Sequence, residues 1–288
     1  MLLGPLADLL CRSALFVPGA DLRKLERAAQ AAADALIFDL EDAVAPTHKD
    51  LARRQVCEAL AGASAGLRLV RVNGLDTAWG ADDVEAVAQA GADGIVLPKC
   101  EQAAQLKAVV ELLGSAPVKL IALIETPAGV LDLGALGNGG GRLLGLAFGH
   151  ADFCRAAGLA QLRSDIGLAY HARCQVVLAA RARGLAALDC VCLDVRDEEA
   201  FRADAVLGRD LGYDGKLCIH PAQVAIANSI YTPAPEAVVR ARSVVDAWAQ
   251  AQRDGLGVIA VDGEMVDAPV AAVQARVLER ARRAGLVG

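Results

Sequence analysis

Eight short apolar runs recur along the chain, and each of them ends in polar residues. The runs cover residues 14–19, 35–42, 67–73, 94–99, 120–126, 143–149, 188–194 and 213–220. Alanine-rich segments separate them and carry Leu, Val and Ala at steps of three and four residues, as amphipathic helices do. Eight strands, each followed by a helix, in 288 residues predict an α/β protein with a closed (β/α)8 TIM barrel.

An open, doubly wound sheet is the alternative to this closed barrel. The first strand of such a sheet is often followed by a GxGxxG motif that binds a dinucleotide, and this chain has no such motif there. Closure also leaves no strand edges that need protection. We therefore predict a catalytic barrel over residues 1–221.

The tail, residues 222–288, is longer than the eighth strand–helix unit requires. It contains a helical stretch near 236–253, a glycine-punctuated segment at 255–263 and an amphipathic helix at 269–284. We predict a C-terminal helical extension that forms an arm or lid. Such an appendage serves as an oligomer contact or as an active-site cover, and the sequence leaves both open.

Composition and charge exclude several classes of function. The chain is 55% hydrophobic and 22% charged, which is typical of a soluble enzyme. A net charge of -6 and the absence of Lys/Arg-rich runs argue against nucleic-acid binding. No apolar run reaches the roughly 20 residues that a membrane helix needs. We expect a cytoplasmic protein with a small-molecule ligand and no nucleic-acid or membrane partner.

Cysteines, histidines and the glycine run do not indicate sites of their own. The eight cysteines form no CxxC pair, and the four histidines lack metal-ligand spacing. The glycine-rich residues 137–141 precede a strand and lack a GK[ST] ending. We predict that they form a turn on the face of the barrel opposite to the active site.

The polar residues that follow the strands are expected to share one face of the barrel, where active sites of this fold lie. The run at 120–126 contains Glu125, and the next run leads to Asp152. Two carboxylates on neighbouring strand ends suit Mg2+, with Mn2+ as an alternative, because such ions leave further positions to water and substrate. Acids outnumber bases on this face, which also favours a cation there.

Arg71 is a candidate for the recognition of a substrate carboxylate or a developing enolate oxygen. Its alternative is a buried ion pair with Glu41 or Glu125. Glu41 is a candidate to contact a metal-bound water, whereas helix capping and rim pairing are the alternative for it and its acidic neighbours. Two further strand-end residues are assigned to substrate binding, Phe16 and Asp194.

Several motifs in this order carry a resemblance to a known family. They are Arg12-Ser13, FVPG at 16–19, DLEDAVAP at 39–46, RVN at 71–73, LPK at 97–99, IET at 124–126, Asp152 and DGKLCIHPAQV at 214–224. The chain resembles the citrate lyase β-subunit-like family of the aldolase/citrate lyase superfamily, which also holds malyl-CoA and citramalyl-CoA lyases. The resemblance covers nearly the whole chain.

The resemblance implies a Mg2+-dependent barrel that makes or breaks a carbon–carbon bond next to a thioester. It implies Glu125 and Asp152 as metal ligands and Arg71 as the residue that holds the 2-oxo acid. The segment DGEMVD at 262–267 is similar to a family segment that crosses onto a neighbouring subunit, where Asp267 would transfer a proton. The alternative for Asp267 is an N-cap of the last helix. A homo-oligomer, a trimer or hexamer, is expected.

The resemblance also implies a place for CoA, which would enter as part of the substrate. Arg23 and Arg27 stand where some family members bind the CoA phosphates, one helical turn apart. A solvated helix face is their alternative. His150, two residues before Asp152, departs from the small or acidic residue that relatives often carry.

The expected activity is cleavage or formation of a 3-hydroxyacyl-CoA thioester such as citramalyl-CoA, malyl-CoA or a citryl thioester. The products of cleavage would be a 2-oxo acid and an acyl thioester. Three further activities stay open at this point. The protein could be a 2-oxo acid aldolase that needs no thioester or a malyl-CoA-type thioesterase. It could also be a subunit of a larger citrate-lyase-like complex with an acyl-carrier partner.

Overall fold

A computed structural model describes residues 10–28, 30–62 and 66–287. These residues form two compact units, and the boundary between the units falls between Ser229 and Ile230. The first unit contains the strand–helix repeats. The second contains the end of the chain.

The first unit is a closed barrel of eight parallel strands, as the sequence predicts. In chain order the strands are β1 (Ser13–Pro18), β2 (Ala35–Asp39), β3 (Leu67–Arg71), β4 (Gly94–Leu97), β5 (Lys119–Ile124), β6 (Leu143–Phe148), β7 (Ala186–Asp189) and β8 (Gly215–Cys218). Each strand pairs with the next in sequence, and β8 returns to pair with β1. The (β/α)8 TIM barrel is thereby confirmed.

Helices follow the strands around the barrel. They are α1 (Leu22–Ala28), α2 (Lys49–Leu60), α3 (Gly80–Gln89), α4 (Ala103–Leu113), α5 (Pro127–Leu131), α6 (His150–Ala156), α7 (Gly167–Ala182), α8 (Glu198–Leu211) and α9 (Pro221–Tyr231), whose last two residues belong to the second unit. One-turn 3-10 helices occur at Pro46–His48, Leu133–Ala135 and Gly139–Gly141. The last of these precedes β6, so the glycine run forms the predicted turn.

Small and branched side chains fill the centre of the barrel. They come from alternate positions of the strands, because successive side chains of a strand point to opposite faces. The central cluster includes Ala14, Ile37, Leu69, Val96, Ile121, Leu123, Ala147, Leu188 and Leu217. This packed interior closes the barrel below the strand-end residues and leaves them at its mouth.

The predicted boundaries of the seventh strand are wrong. The apolar run at 188–194 suggests a strand there, but β7 ends at Asp189. Residues after it leave the sheet, and Leu193 is 45% exposed. An apolar sequence therefore continues into a rim loop, which periodicity alone does not distinguish from a buried strand.

The pairing of β5 with β6 contains one irregularity. Leu120 is opposite Leu143, but Ile121 is opposite Gly145, so Leu144 is an extra residue in β6. Above this bulge the register is regular up to Ile124, which is opposite Phe148. The residues that follow the two strands are thus aligned, Glu125 with Gly149.

The second unit is built from two helices and a hairpin. Helices α10 (Pro235–Arg253) and α11 (Ala268–Arg283) flank strands β9 (Ile259–Val261) and β10 (Glu264–Val266), which pair antiparallel. Asp262 and Gly263 have φ angles of 51° and 82°, as a two-residue hairpin turn requires. The two predicted helices are confirmed, whereas the glycine-punctuated segment contains a strand. No helix in the described part of the chain has the length and apolar character to cross a membrane.

Candidate active site

Glu125 is a buried acid at the mouth of the barrel. It follows β5 directly and is 2% exposed. One carboxylate oxygen, Oε1, accepts a hydrogen bond of 2.9 Å from the main-chain N–H of Lys99. The other oxygen, Oε2, lies beside Gly149, where an added Cβ would be 2.5 Å away. Glycine at position 149 therefore leaves room for this carboxylate.

The surroundings of Glu125 disfavour its charged form. Burial, followed by the charge of Glu41, raises the pKa of Glu125 from 4.5 to about 8. Arg71 and the N–H of Lys99 act in the opposite direction, and Asp152 adds a further negative charge that raises the pKa. The positive charge of Arg71 thus offsets the burial of this acid only in part.

Asp152 lies in the first turn of α6, after β6. Its side chain is 22% exposed and forms an ion pair of 2.6 Å with Arg155, one turn along the same helix. Asp152 is close enough to Glu125 to act on its pKa. The two predicted metal ligands are thus brought to the same mouth of the barrel by adjacent strands.

Arg71, the last residue of β3, is held by carboxylates. Its Nε and Nη2 atoms donate hydrogen bonds of 2.8 and 2.7 Å to the two oxygens of Asp39. Nη1 lies 3.1 Å from Oε2 of Glu41, so the alternative of a buried ion pair with Glu41 is present. The ring of Phe16 lies 4.9 Å from the guanidinium carbon. Burial opposes the charge, but Asp39 and Glu41 raise the pKa of Arg71 above its ordinary value.

The acidic loop after β2 combines two functions. Asp39 accepts hydrogen bonds from the main-chain N–H groups of Glu41 and Ala43, at 2.9 and 3.1 Å, which stabilise a turn and do not cap a helix. Glu41 points to the mouth, where its carboxylate lies between Arg71 and the ammonium group of Lys99. Burial raises the pKa of Glu41, and the two cations oppose this shift.

A second layer of polar residues supports this loop. Nζ of Lys49 donates hydrogen bonds of 2.7 Å to the carbonyl oxygens of both Leu40 and Glu41. Nδ2 of Asn73 donates to the Leu40 carbonyl and to Asp83, at 2.9 and 2.6 Å. Lys49 and Asp83 are buried charged residues on α2 and α3, and neither was predicted from the sequence to support the site. Their spacing along the chain did not indicate these contacts.

The charges at the mouth fit a divalent cation. The carboxylates of Asp39, Glu41, Asp42, Glu125 and Asp152 face the cationic groups of Arg71, Lys99 and Arg155. Since Glu125 and Asp152 offer the hard oxygen atoms that Mg2+ prefers, these residues could hold such an ion.

A separate group of buried charges lies behind β7 and β8. Arg173 on α7 and Lys216 on β8 share Asp189 on β7, at 2.5 and 3.0 Å, and Asp204 on α8, at 2.8 and 2.6 Å. Although Asp189, Cys190 and Asp204 offer ligand atoms close to one another, the two cationic side chains already balance the two carboxylates. We interpret this group as a structural network, and the sequence analysis did not identify it.

Four further predicted site residues show exposure or local contacts only. Asp194 is exposed in the loop after β7 and accepts a hydrogen bond of 3.0 Å from the N–H of Arg196. Arg23 and Arg27 are exposed on α1. Asp267 is the N-cap of α11, where its Oδ1 accepts from the N–H of Val270 at 3.1 Å. The assigned functions of these four residues stay predictions.

A closed parallel barrel whose mouth holds buried carboxylates and an arginine is the arrangement of a (β/α)8-barrel enzyme. Comparison with known proteins agrees with this class. Residues 12–221 match the HpcH/HpaI aldolase/citrate lyase family, and the chain belongs to this family. The resemblance seen in the sequence motifs is confirmed, and the protein is an enzyme of the lyase type.

Three similar proteins cover nearly the full length of the chain. A (3S)-malyl-CoA thioesterase of Cereibacter sphaeroides is 45% identical over 89% of each chain. The citrate lyase subunit beta of Escherichia coli (strain K12) is 39% identical, over 96% of this chain and 94% of the other. The third is the Mycobacterium tuberculosis protein CitE, whose crystal structure contains magnesium, acetoacetate and coenzyme A. Its sequence is 34% identical, and the two structures superpose with a TM-score of 0.78 over 95% of this chain and 97% of the other.

Proposed function

We propose that this protein is a Mg2+-dependent lyase that cleaves or forms the carbon–carbon bond of a 3-hydroxyacyl-CoA thioester. The observation that carries the proposal is that Glu125, which is 2% exposed, lies at the same mouth of the barrel as Asp152, where the positive charge of Arg71 offsets its burial only in part. The magnesium and coenzyme A in the CitE structure support it. Malyl-CoA and citramalyl-CoA are the substrates we favour.

Glu125 and Asp152 would hold the cation, which supplies a Lewis acid that polarises the substrate hydroxyl and carboxylate. The hydroxyl would pass its proton to the carboxylate of Glu41 at the same mouth, its oxygen would become the carbonyl of a 2-oxo acid, and the carbon–carbon bond would break. The electron pair of that bond moves onto the carbon next to the thioester. N–H groups of Arg71 outside its two bonds to Asp39 would stabilise the negative charge of this enolate.

A proton donor completes the cleavage, since the enolate must become the methyl group of an acyl thioester. We assign this step to Asp267 of a neighbouring subunit in a homo-oligomer, a trimer or hexamer. The assignment follows the resemblance of the DGEMVD segment. In the chain itself Asp267 caps α11, and its other oxygen would act on the substrate.

The CoA part of the substrate would follow the rim next to Phe16. Exposed Arg23 and Arg27 lie one turn apart on the helix after β1 and would contact its phosphate groups. Neutralisation of both residues should then weaken binding of the CoA thioester more than it lowers turnover at saturation.

Hydrolysis of the thioester is a second candidate, because the Cereibacter sphaeroides relative named a thioesterase is 45% identical. The two activities give different products from malyl-CoA. A lyase releases glyoxylate and acetyl-CoA, whereas a thioesterase releases malate and free CoA. From citramalyl-CoA the lyase would release pyruvate and acetyl-CoA.

Product analysis with the purified full chain tests the proposal. Malyl-CoA and citramalyl-CoA are incubated with the protein and Mg2+, and the 2-oxo acid, acetyl-CoA and free CoA are quantified separately. We expect equal amounts of 2-oxo acid and acetyl-CoA, and loss of both with EDTA. Full lyase activity in EDTA would refute the mechanism.

Two further substrate tests separate the lyase from related activities. Cleavage of hydroxylated 2-oxo acids in the absence of CoA would favour an aldolase that needs no thioester. Turnover only in the presence of an acyl-carrier protein would favour a subunit of a larger citrate-lyase-like complex. We expect neither result, since the lyase should act alone on its CoA thioester.

A further inference from the structure

Lys99 makes two separate contacts with the acids of the site. Its main-chain N–H donates to Oε1 of Glu125 at 2.9 Å. Its Nζ donates to Oε1 of Glu41, with which it also forms an ion pair. The side chain is 39% exposed, so it lines the open part of the mouth. A single residue thus contacts one predicted metal ligand and its acidic neighbour.

The backbone at Lys99 is held in an unusual conformation. Its φ angle is 46°, in the left-handed region that residues with a Cβ rarely adopt. Hydrogen bonds fix the turn on both sides, from Gln105 Nε2 to the Lys99 carbonyl at 3.1 Å and from the Cys100 N–H to the Leu123 carbonyl at 3.1 Å. This fixed turn directs the Lys99 N–H at Glu125. Glycine would adopt the same conformation without strain, yet the position carries a lysine.

Glu41 is the acid that the ammonium group of Lys99 contacts. It is 8% exposed, and Lys99 contacts both its carboxylate and that of Glu125, so the two acids share one neighbour. One Glu41 oxygen lies at Arg71 Nη1, at 3.1 Å, and the other is bound by the ammonium group of Lys99. Without that ammonium group, a buried carboxylate oxygen next to the cation site would lose its partner.

We propose that Lys99 is a positioning residue of the metal site: its N–H orients Glu125, and its ammonium group keeps Glu41 from coordinating the cation. The inference rests on the proposed function, because it assumes that Glu125 binds the ion. Two protein carboxylates leave positions for substrate oxygens on Mg2+. A third would occupy one of them and would make the site more suitable for Ca2+, which accepts more oxygen ligands than Mg2+ does.

Calorimetric titration of the full chain with Mg2+ and with Ca2+ tests this inference. Lys99→Met removes the ammonium group but keeps the N–H. We expect its Ca2+ affinity to rise about tenfold relative to its Mg2+ affinity, since the released Glu41 carboxylate adds an oxygen ligand that Ca2+ accommodates better than Mg2+ does. Its turnover at saturating Mg2+ should fall. Lys99→Arg should restore the natural preference between the two ions, and Lys107→Met, on the exposed face of α4, should not change it.

The outcomes separate the inference from the proposed function. If Glu125→Gln abolishes binding but Lys99→Met keeps the natural ratio of Ca2+ to Mg2+ affinity, the assignment of Lys99 alone is overturned. Identical Mg2+ titrations of the natural chain and Glu125→Gln would overturn both. If Lys99→Met does not fold, Lys99→Gly replaces it, because glycine adopts φ of 46° and also lacks the ammonium group.

Discussion

Gly149 stands directly against Glu125: an added Cβ at Gly149 would lie 2.5 Å from the Oε2 atom and 2.6 Å from the Cβ of that glutamate. The backbone at Gly149 has φ of -99°, which alanine can adopt. The constraint at this position is therefore one of space. Glycine at this position leaves the space that the Glu125 carboxylate, our proposed metal ligand, occupies.

Gly149→Ala should displace Glu125 and abolish detectable Mg2+ binding, while the barrel still folds with reduced stability. The physical reason is the overlap with Glu125, since the added methyl group cannot share its space. Mg2+ titration and thermal unfolding measure the two effects. Gly134→Ala is the matched control, because an added Cβ there meets nothing within 4 Å. Natural Mg2+ affinity in Gly149→Ala would contradict the assignment of Glu125.

Glu125→Gln should lower Mg2+ affinity and turnover by orders of magnitude. The amide has nearly the same shape but carries no charge, so the site loses half of its proposed protein ligands. Calorimetry and product formation from malyl-CoA are the measurements. Glu111→Gln, an exposed change on α4, serves as the control and should retain both. The metal assignment fails if Glu125→Gln behaves like Glu111→Gln.

Mg2+ affinity should increase with pH up to about 8. Because burial raises the pKa of Glu125 to about 8, the proton competes with the cation below that pH. The apparent affinity should rise by roughly tenfold per pH unit between about pH 6 and 7.5, as expected for the release of one proton. Titrations at several pH values measure this dependence. A flat profile would mean that Glu125 is already ionised before the metal binds.

The same pKa predicts how stability without metal depends on pH. The folded chain binds the Glu125 proton more tightly than the unfolded chain does, so this group's contribution to stability is lost as pH rises from 4.5 to about 8. Mg2+ should therefore raise the melting temperature more at pH 8 than at pH 6. Thermal unfolding with EDTA and with Mg2+ checks this difference. In Glu125→Gln the difference should vanish.

Arg71→Lys should lower turnover by about 100-fold or more, although it keeps the charge. Lysine cannot reproduce the paired hydrogen bonds to Asp39 or keep further N–H groups for the substrate. Steady-state kinetics with malyl-CoA measure the effect. Arg209→Lys, at an exposed position on α8, is the comparison for a change of the same chemical type and should keep the natural turnover. Equal activity of Arg71→Lys and the natural chain would remove Arg71 from the mechanism.

Asp189→Asn should destabilise the barrel by about 3–5 kcal/mol, since it leaves Arg173 and Lys216 with one carboxylate between them in a buried place. Denaturant unfolding gives the free energy difference. Glu111→Gln, which removes an exposed ion pair at 3.8 Å, should cost less than about 1 kcal/mol. Similar costs for the two variants would show that the buried network contributes little to stability.

The sequence predicted the barrel and the central acids for the same reason. Buried parallel strands appear in the sequence as apolar runs, and the polar residues at the end of each run lie at the mouth of the barrel. This pattern identified Glu125, Arg71 and Glu41. The sequence did not predict contacts that depend on how the helices pack against the sheet. Lys49 binds main-chain carbonyl oxygens of the acidic loop, and such oxygens leave no signal in side-chain spacing.

The buried network behind β7 and β8 shows the same limit. Arg173 and Asp204 meet across two different helices, and only the packed structure brings them together. The end of β7 was misplaced because the apolar residues beyond Asp189 belong to a loop. For Asp267 the sequence offered two functions, of which the structure displays the N-cap.

The bulge at Leu144 decides which side chain meets the glutamate at the top of the barrel. If Leu144 instead took a regular place opposite Ile121, every later pair of the two strands would slide by one position, and Phe148 would stand opposite Glu125 in place of Gly149. A phenyl ring would then fill the space of the carboxylate. One extra residue low in the barrel thereby sets the neighbour of the carboxylate to which we assign the ion.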